Sequence, residues 1–107
     1  MANIHDNVRA IIDDFSLFDD WEERYRYLID LGRNLPDMDD KLKTDENFVK
    51  GCTSQVWMVS DVRDGNFYFV ADSDAHIVRG LIGLLMQIYQ DQDPKDVAAL
   101  DIKTAFS

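Results

Sequence analysis

Apolar residues recur at Ile4, Val8, Ile11, Ile12 and Phe15, a spacing that gathers them on one face of a helix over residues 4–15. A second helix is expected to open at Asp20, with Glu23 three positions on as a capping-box partner. Trp21, Tyr25, Leu28 and Ile29 form its expected buried stripe, and Gly32 its expected C-cap. Residues 34–50 read as irregular. Pro36 breaks a helix, and Asp37, Asp39, Asp40, Asp45 and Glu46 oppose burial. Their spacing matches no EF-hand loop and lacks its glycine, so a solvated charge run is the reading.

The period then changes. Val56, Trp57, Met58, Val59 and Val62 suit a strand, Asp64-Gly65 is a hairpin signal, and Phe67, Tyr68, Phe69 and Val70 suit the returning strand. Both strands are apolar at consecutive positions, which predicts cover on two faces for part of the hairpin. Asn47–Lys50 is a candidate third strand. Asp72-Ser73-Asp74 offers helix-start residues, and Ile77, Leu81, Leu84, Leu85 and Ile88 follow at helical spacing. Gly80 and Gly83 interrupt that helix at about 1 kcal/mol each, which predicts a close approach to another backbone, the sheet being one candidate. Asp93-Pro94 opens a last short helix. The expected architecture is α+β: a small antiparallel sheet of two to three strands packed against several helices, in one domain spanning residues 1–107.

Composition narrows the function classes. The chain has 107 residues, 46% of them hydrophobic, which suffices for one core. Twenty-one acidic residues against eleven basic ones leave a formal charge of −10. A surface this acidic repels phosphate backbones and anionic membranes, so neither nucleic acid nor a membrane is expected as a partner. A protein with a basic docking surface is compatible. No secretory signal and no run of membrane-spanning length is visible, and a single cysteine fits the reducing cytosol, so a cytoplasmic location is expected.

The candidate chemistry centres on Cys52, the only thiol, in Gly51-Cys52-Thr53-Ser54-Gln55-Val56-Trp57. A lone thiol at a loop-to-strand junction forms no internal disulfide. Its possible tasks are nucleophile, carrier or intermolecular partner. Solitary cysteines are more often inert core residues, so composition alone favours the bland reading. The chain has no zinc motif, no glycine-rich phosphate loop and no nucleophile elbow, so no metal or nucleotide cofactor is expected. His76 falls in the first turn of its helix and reads as solvated, and Lys50 is either a thiolate stabiliser or a surface lysine. A nucleophile without visible catalytic apparatus favours a carrier that borrows its chemistry from a partner enzyme.

The heptapeptide around Cys52 resembles the signature of SufE-like sulfur acceptor proteins. Trp21-Glu22-Glu23-Arg24-Tyr25, Leu31-Gly32-Arg33-Asn34-Leu35-Pro36, Asp72-Ser73-Asp74-Ala75 and Ile77-Val78-Arg79-Gly80-Leu81-Ile82 match the same family in order, over nearly the whole chain. The resemblance implies a fold similar to the iron–sulfur scaffold IscU, without that scaffold's several ligating cysteines. It also implies a function: accepting a sulfane sulfur on Cys52 from a cysteine desulfurase of the SufS type and passing it to a SufBCD-type scaffold for iron–sulfur cluster assembly. Pyridoxal phosphate would belong to the desulfurase, so no cofactor is expected here. Homodimers occur in the family. Its members continue beyond the point where this chain ends, so the chain is expected to be short or truncated at its C-terminus. Thr53 stands where several relatives carry Gln.

Transfer by thiolate–sulfur exchange needs access and suitable thiol pKa values, but no metal and no general acid. Val56, Trp57 or Leu81 are the apolar neighbours expected to shelter a persulfide. Three other classes compete: a regulatory binding module that activates a desulfurase without carrying sulfur, a cluster scaffold, and a stand-alone thiol hydrolase. One cysteine per chain disfavours the scaffold, and the absence of a readable Cys–His pair disfavours the hydrolase.

Overall fold

The computed structural model describes residues 3–51 and 53–100; Cys52 lies outside the described residues. Helix α1 spans Ile4–Ser16. Asn3 caps it, accepting from the Asp6 N–H at 2.9 Å, and the Asp6 carboxylate accepts in return from the Asn3 N–H. Helix α2 spans Trp21–Arg33 and is capped by Asp20, which accepts from the Glu23 N–H at 2.9 Å. The Glu23 carboxylate reaches back to the Asp19 N–H, one residue before the expected partner. Two single 3₁₀ turns, Asp40–Leu42 and Asp45–Asn47, carry the irregular segment.

Strands β1 (Val56–Arg63) and β2 (Asn66–Ser73) pair antiparallel in register from Val56 opposite Ser73 to Arg63 opposite Asn66. Asp64 and Gly65 both take positive φ, 50° and 82°, as the two-residue hairpin turn requires. Helix α3 (His76–Tyr89) follows, then α4 (Pro94–Ala99) with Pro94 at its first position. The arrangement is α+β, with four helices and a two-stranded sheet among the described residues. Asn47–Lys50 does not become a third strand. Only Phe48 bridges to Trp57, because the preceding 3₁₀ turn delivers the chain to the sheet edge for just two residues.

Among the described residues two apolar clusters form the core. Ile4, Val8, Ile11 and Ile88 join α1 to the end of α3, while Leu35, Phe69, Ala71 and Ile82 join β2 to the middle of α3. Tyr89 packs on both. Helices α2 and α3 cross closely at their glycines. A Cβ on Gly80 would collide with the Leu28 carbonyl oxygen, and one on Gly32 would stand 2.9 Å from the Gly80 nitrogen. The expected close backbone approach is therefore real, but it is made to α2 rather than to the sheet.

That crossing explains several departures from the periodicity. Gly32 is inside α2, not its C-cap; Asn34 takes that place. The buried face of α3 is set by Gly80, Gly83, Ile82 and Ile88, which turns Leu81 and Leu85 partly outward. Trp21 and Tyr25 are not core residues: they are 78% and 56% exposed. They lie on the face of α2 left open once its glycine face meets α3. The hairpin is covered unevenly as well. β2 buries Phe69, Ala71, Asp72 and Ser73, whereas β1 stays largely open because α3 lies over β2.

Candidate functional site

The segment carrying Cys52 hangs from a closed neck. On one side the Val49 N–H donates to the Val56 carbonyl at 2.8 Å, and the Phe48 ring meets the Trp57 ring edge-on at 6.1 Å between centroids. On the other, the Gln55 N–H donates to Asp74 Oδ1 at 3.0 Å, and the Asp74 N–H donates to the Gln55 carbonyl at 3.3 Å. Residues 50–54 lie between these clamps. Gly51 has φ of 91° and open space around it, a left-handed backbone that disfavours any side chain. Gly51 and Thr53 are exposed and Ser54 is half-buried. The two residues flanking Cys52 are thus presented to solvent.

Beneath the neck lies an ionic cluster. Asp72 sits directly opposite Trp57 across the hairpin and is buried, 4% exposed. Its Oδ1 accepts from the Arg79 guanidinium and from the Ser73 N–H, and its Oδ2 stands 3.2 Å from Lys43 Nζ. Burial alone pushes the Asp72 carboxyl up. The Ser73 N–H, Lys43 and Arg79 outweigh it and hold the group below the usual carboxylate range. Lys43 is raised in turn, first by its hydrogen bond to Asp72 and then by that to Asp40. Its ammonium also lies 5.6 Å from the Trp57 ring centroid, a cation–π contact. Arg79 further donates to the Gly32 and Leu35 carbonyls at 3.2 and 3.3 Å. The cluster therefore ties the end of α2, the first 3₁₀ turn, β2 and α3 to the tryptophan of the motif.

Sequence reasoning located the motif but missed this support. Asp72-Ser73-Asp74 is not a helix cap: Ala75 holds that position in α3 and makes no side-chain cap bond. Asp72 and Ser73 belong to β2, and Asp74 ties down Gln55 instead. The signal was present, since an aspartate between Ala71 and Ser73 at the end of an apolar strand needs a cationic partner once buried. The acidic run is also partly accounted for. Asp39 caps the Lys41 N–H, Asp40 stands 3.3 Å from Lys43, and Asp37 stands 3.8 Å from Arg79. Among the described residues, no group of three or more His, Cys, Asp or Glu stands where it could hold a metal ion. His76 and Lys50 are exposed, Val56 and Trp57 are half-buried, and Leu81 is 46% exposed. No described helix is long and apolar enough to cross a membrane.

Comparison with known proteins adds the family. A family model described as "SufE: Fe-S metabolism associated domain" matches residues 9–107. The chain is similar to an uncharacterized SufE-like protein of Rhizobium meliloti (strain 1021), 45% identical over 100 residues that cover 90% of this chain and 71% of that protein. It is also similar to an uncharacterized SufE-like protein of Rhizobium etli, 48% identical over 101 residues, or 91% of this chain and 68% of that protein.

Proposed function

From the premise that the chain belongs to the SufE family, whose domain is associated with iron–sulfur metabolism, we propose that it carries sulfur as a persulfide on Cys52. The observation that carries this reading is the motif Gly51–Trp57. It places the chain's one thiol in a segment whose flanks are exposed and whose neck is held by two pairs of contacts. An acceptor of this kind needs a thiol that enters a partner's site and a rigid body to aim it. The ionic cluster under Trp57 supplies the second requirement.

The reaction is an exchange without net oxidation. The Cys52 thiolate attacks the outer sulfur of a persulfide on a pyridoxal-phosphate cysteine desulfurase of the SufS type. A bond forms between Cys52 Sγ and that sulfur, the desulfurase S–S bond breaks, and the desulfurase thiolate leaves with the electron pair. The sulfur then passes to a SufBCD-type scaffold by a second exchange, in a cytoplasmic setting. This chain contributes access, orientation and the nucleophile, and it needs no cofactor of its own.

The test is stimulation of desulfurase turnover. The wild-type chain is expected to raise alanine release from L-cysteine, and Cys52→Ser to abolish that gain. Full stimulation by Cys52→Ser would replace the carrier by a binding module that activates the desulfurase without taking sulfur.

A further inference from the structure

We propose that the corner between α1 and α2 is a docking surface for a basic amphipathic helix of a partner protein, separate from the Cys52 segment. Leu17 and Trp21 are 77% and 78% exposed, and Tyr25 and Ile12 are 56% and 37% exposed. Trp21 and Tyr25 share one face of α2 at an i, i+4 spacing. An open groove of about 500 Å³ runs between the two helices, lined by Ile12, Phe15, Ser16, Trp21 and Arg24. The Arg24 guanidinium lies 5.2 Å from the centroid of the Trp21 ring, and its Nε is buried with no hydrogen-bond partner among the described residues. An exposed tryptophan in the wall of a groove lined mostly by apolar residues, with Leu17 and Tyr25 also exposed on the same corner, marks an interaction site rather than ordinary surface.

The charge around the patch chooses the occupant. Residues 12–26, which form this corner, hold six acidic groups, Asp13, Asp14, Asp19, Asp20, Glu22 and Glu23, against Arg24 and Arg26, a net of −4. Of these, Asp14 accepts from the Tyr27 hydroxyl and Glu23 lines a separate cleft with Phe18 and Tyr27, while Arg24 lines the groove itself. Arg26 is already paired with Glu22 at 2.8 Å. Asp13, Asp19 and Asp20 make no ion pair among the described residues. A second copy would set this acidic rim against itself, and a lipid surface or nucleic acid would add further negative charge. A helix with lysines or arginines flanking an apolar stripe satisfies both the groove and the rim.

The place of the patch gives it independence from Cys52. α2 and α3 run antiparallel, with Gly32 beside His76 and Gly80, and Tyr27 beside Gln87. Trp21 therefore stands toward the far end of α3 from Asp74 and the Cys52 neck. α3 has 14 residues, a length of about 20 Å. One partner held at α2 thus leaves the Cys52 segment free for another.

The probe is a synthetic amphipathic helix with leucines on one face and lysines on the other, titrated into the isotope-labelled chain and followed by backbone amide shifts. Saturable shifts confined to residues 12–26 are expected, weakening with salt and about tenfold weaker in Trp21→Ser. Because Trp21 is exposed, that variant is expected to keep the wild-type melting temperature, which separates lost docking from lost fold. Equal binding by Trp21→Ser, shifts centred elsewhere, or equal binding of the same helix with glutamates for lysines would overturn the proposal. Sedimentation showing a dimer that Trp21→Ser dissociates would assign the face to a second copy and overturn it too. So would Trp21-dependent pelleting with phosphatidylglycerol vesicles, which would assign the face to a membrane.

Discussion

Gln55 and Asp74 hold each other by two hydrogen bonds, one from the Gln55 N–H to Asp74 Oδ1 and one from the Asp74 N–H to the Gln55 carbonyl. This reciprocal pair joins the end of the Cys52 segment to the residue just before the cap of α3. It converts a loop that would swing from β1 alone into one anchored to two elements.

Asp74→Ala removes the acceptor for the Gln55 N–H while leaving the backbone bond in place. A hydrogen bond to a carboxylate at this exposed site contributes about 1 kcal/mol. Hydrogen exchange at the Gln55 amide is expected to speed up roughly fivefold, with Asp74→Asn much closer to wild type. Unchanged exchange in Asp74→Ala would remove Asp74 from the anchorage.

Gly80→Ala and Gly83→Ala are expected to differ in sign. A Cβ at Gly80 would meet the Leu28 carbonyl oxygen, which is backbone and has no room to retreat. The helices must part, at a net cost of about 2–3 kcal/mol despite the better helix propensity of alanine. At Gly83 the nearest atom is the Leu31 Cβ at 3.3 Å, a side chain that gives by a few tenths of an ångström. There the propensity gain of about 1 kcal/mol leaves stability unchanged or slightly raised. Urea unfolding of the two variants measures both.

Asp72 makes stability acid-sensitive. Its folded carboxyl lies below the usual carboxylate range, while in the unfolded chain it titrates at about 3.9. The unfolded state therefore binds more protons as the pH falls, and the stabilisation is present in full above the unfolded value. It is lost as the pH drops through the folded one, roughly from pH 5 downward. Asp72→Asn leaves Lys43 and Arg79 without their shared anion and is expected to be about 3 kcal/mol less stable at neutral pH. The gap to wild type narrows toward acid. Some acid sensitivity persists in the variant, because Asp91 is also lowered, first by its hydrogen bond from Tyr68 and then by that from Asn66. A urea midpoint measured against pH for both proteins shows whether the curves converge.

Local signals read well from the sequence because local physics decides them. The Asp20 cap, the Asp64-Gly65 turn and Pro94 at the start of α4 each depend on a few neighbouring atoms. The α+β order followed from the change of period at Val56. The burial of particular side chains did not, because it depends on which elements meet. Two glycines on α3 drew α2 against that face, and this choice turned Trp21, Tyr25 and Leu81 outward although their spacing reads as core. The motif around Cys52 was legible as a pattern, while its support was not. Arg79 lies seven residues after Asp72, but Lys43 is remote from both in sequence, and the three converge only when α3 folds back over β2 and the first 3₁₀ turn reaches them.

The central claim concerns Cys52, and intact-protein mass spectrometry tests it most directly. The chain is incubated without oxygen with a SufS-type desulfurase, pyridoxal phosphate and L-cysteine, then weighed with and without reductant. The account predicts a gain of one sulfur atom that reductant removes and that Cys52→Ser never shows. No gain on the wild-type chain, or the same gain on Cys52→Ser, would contradict it.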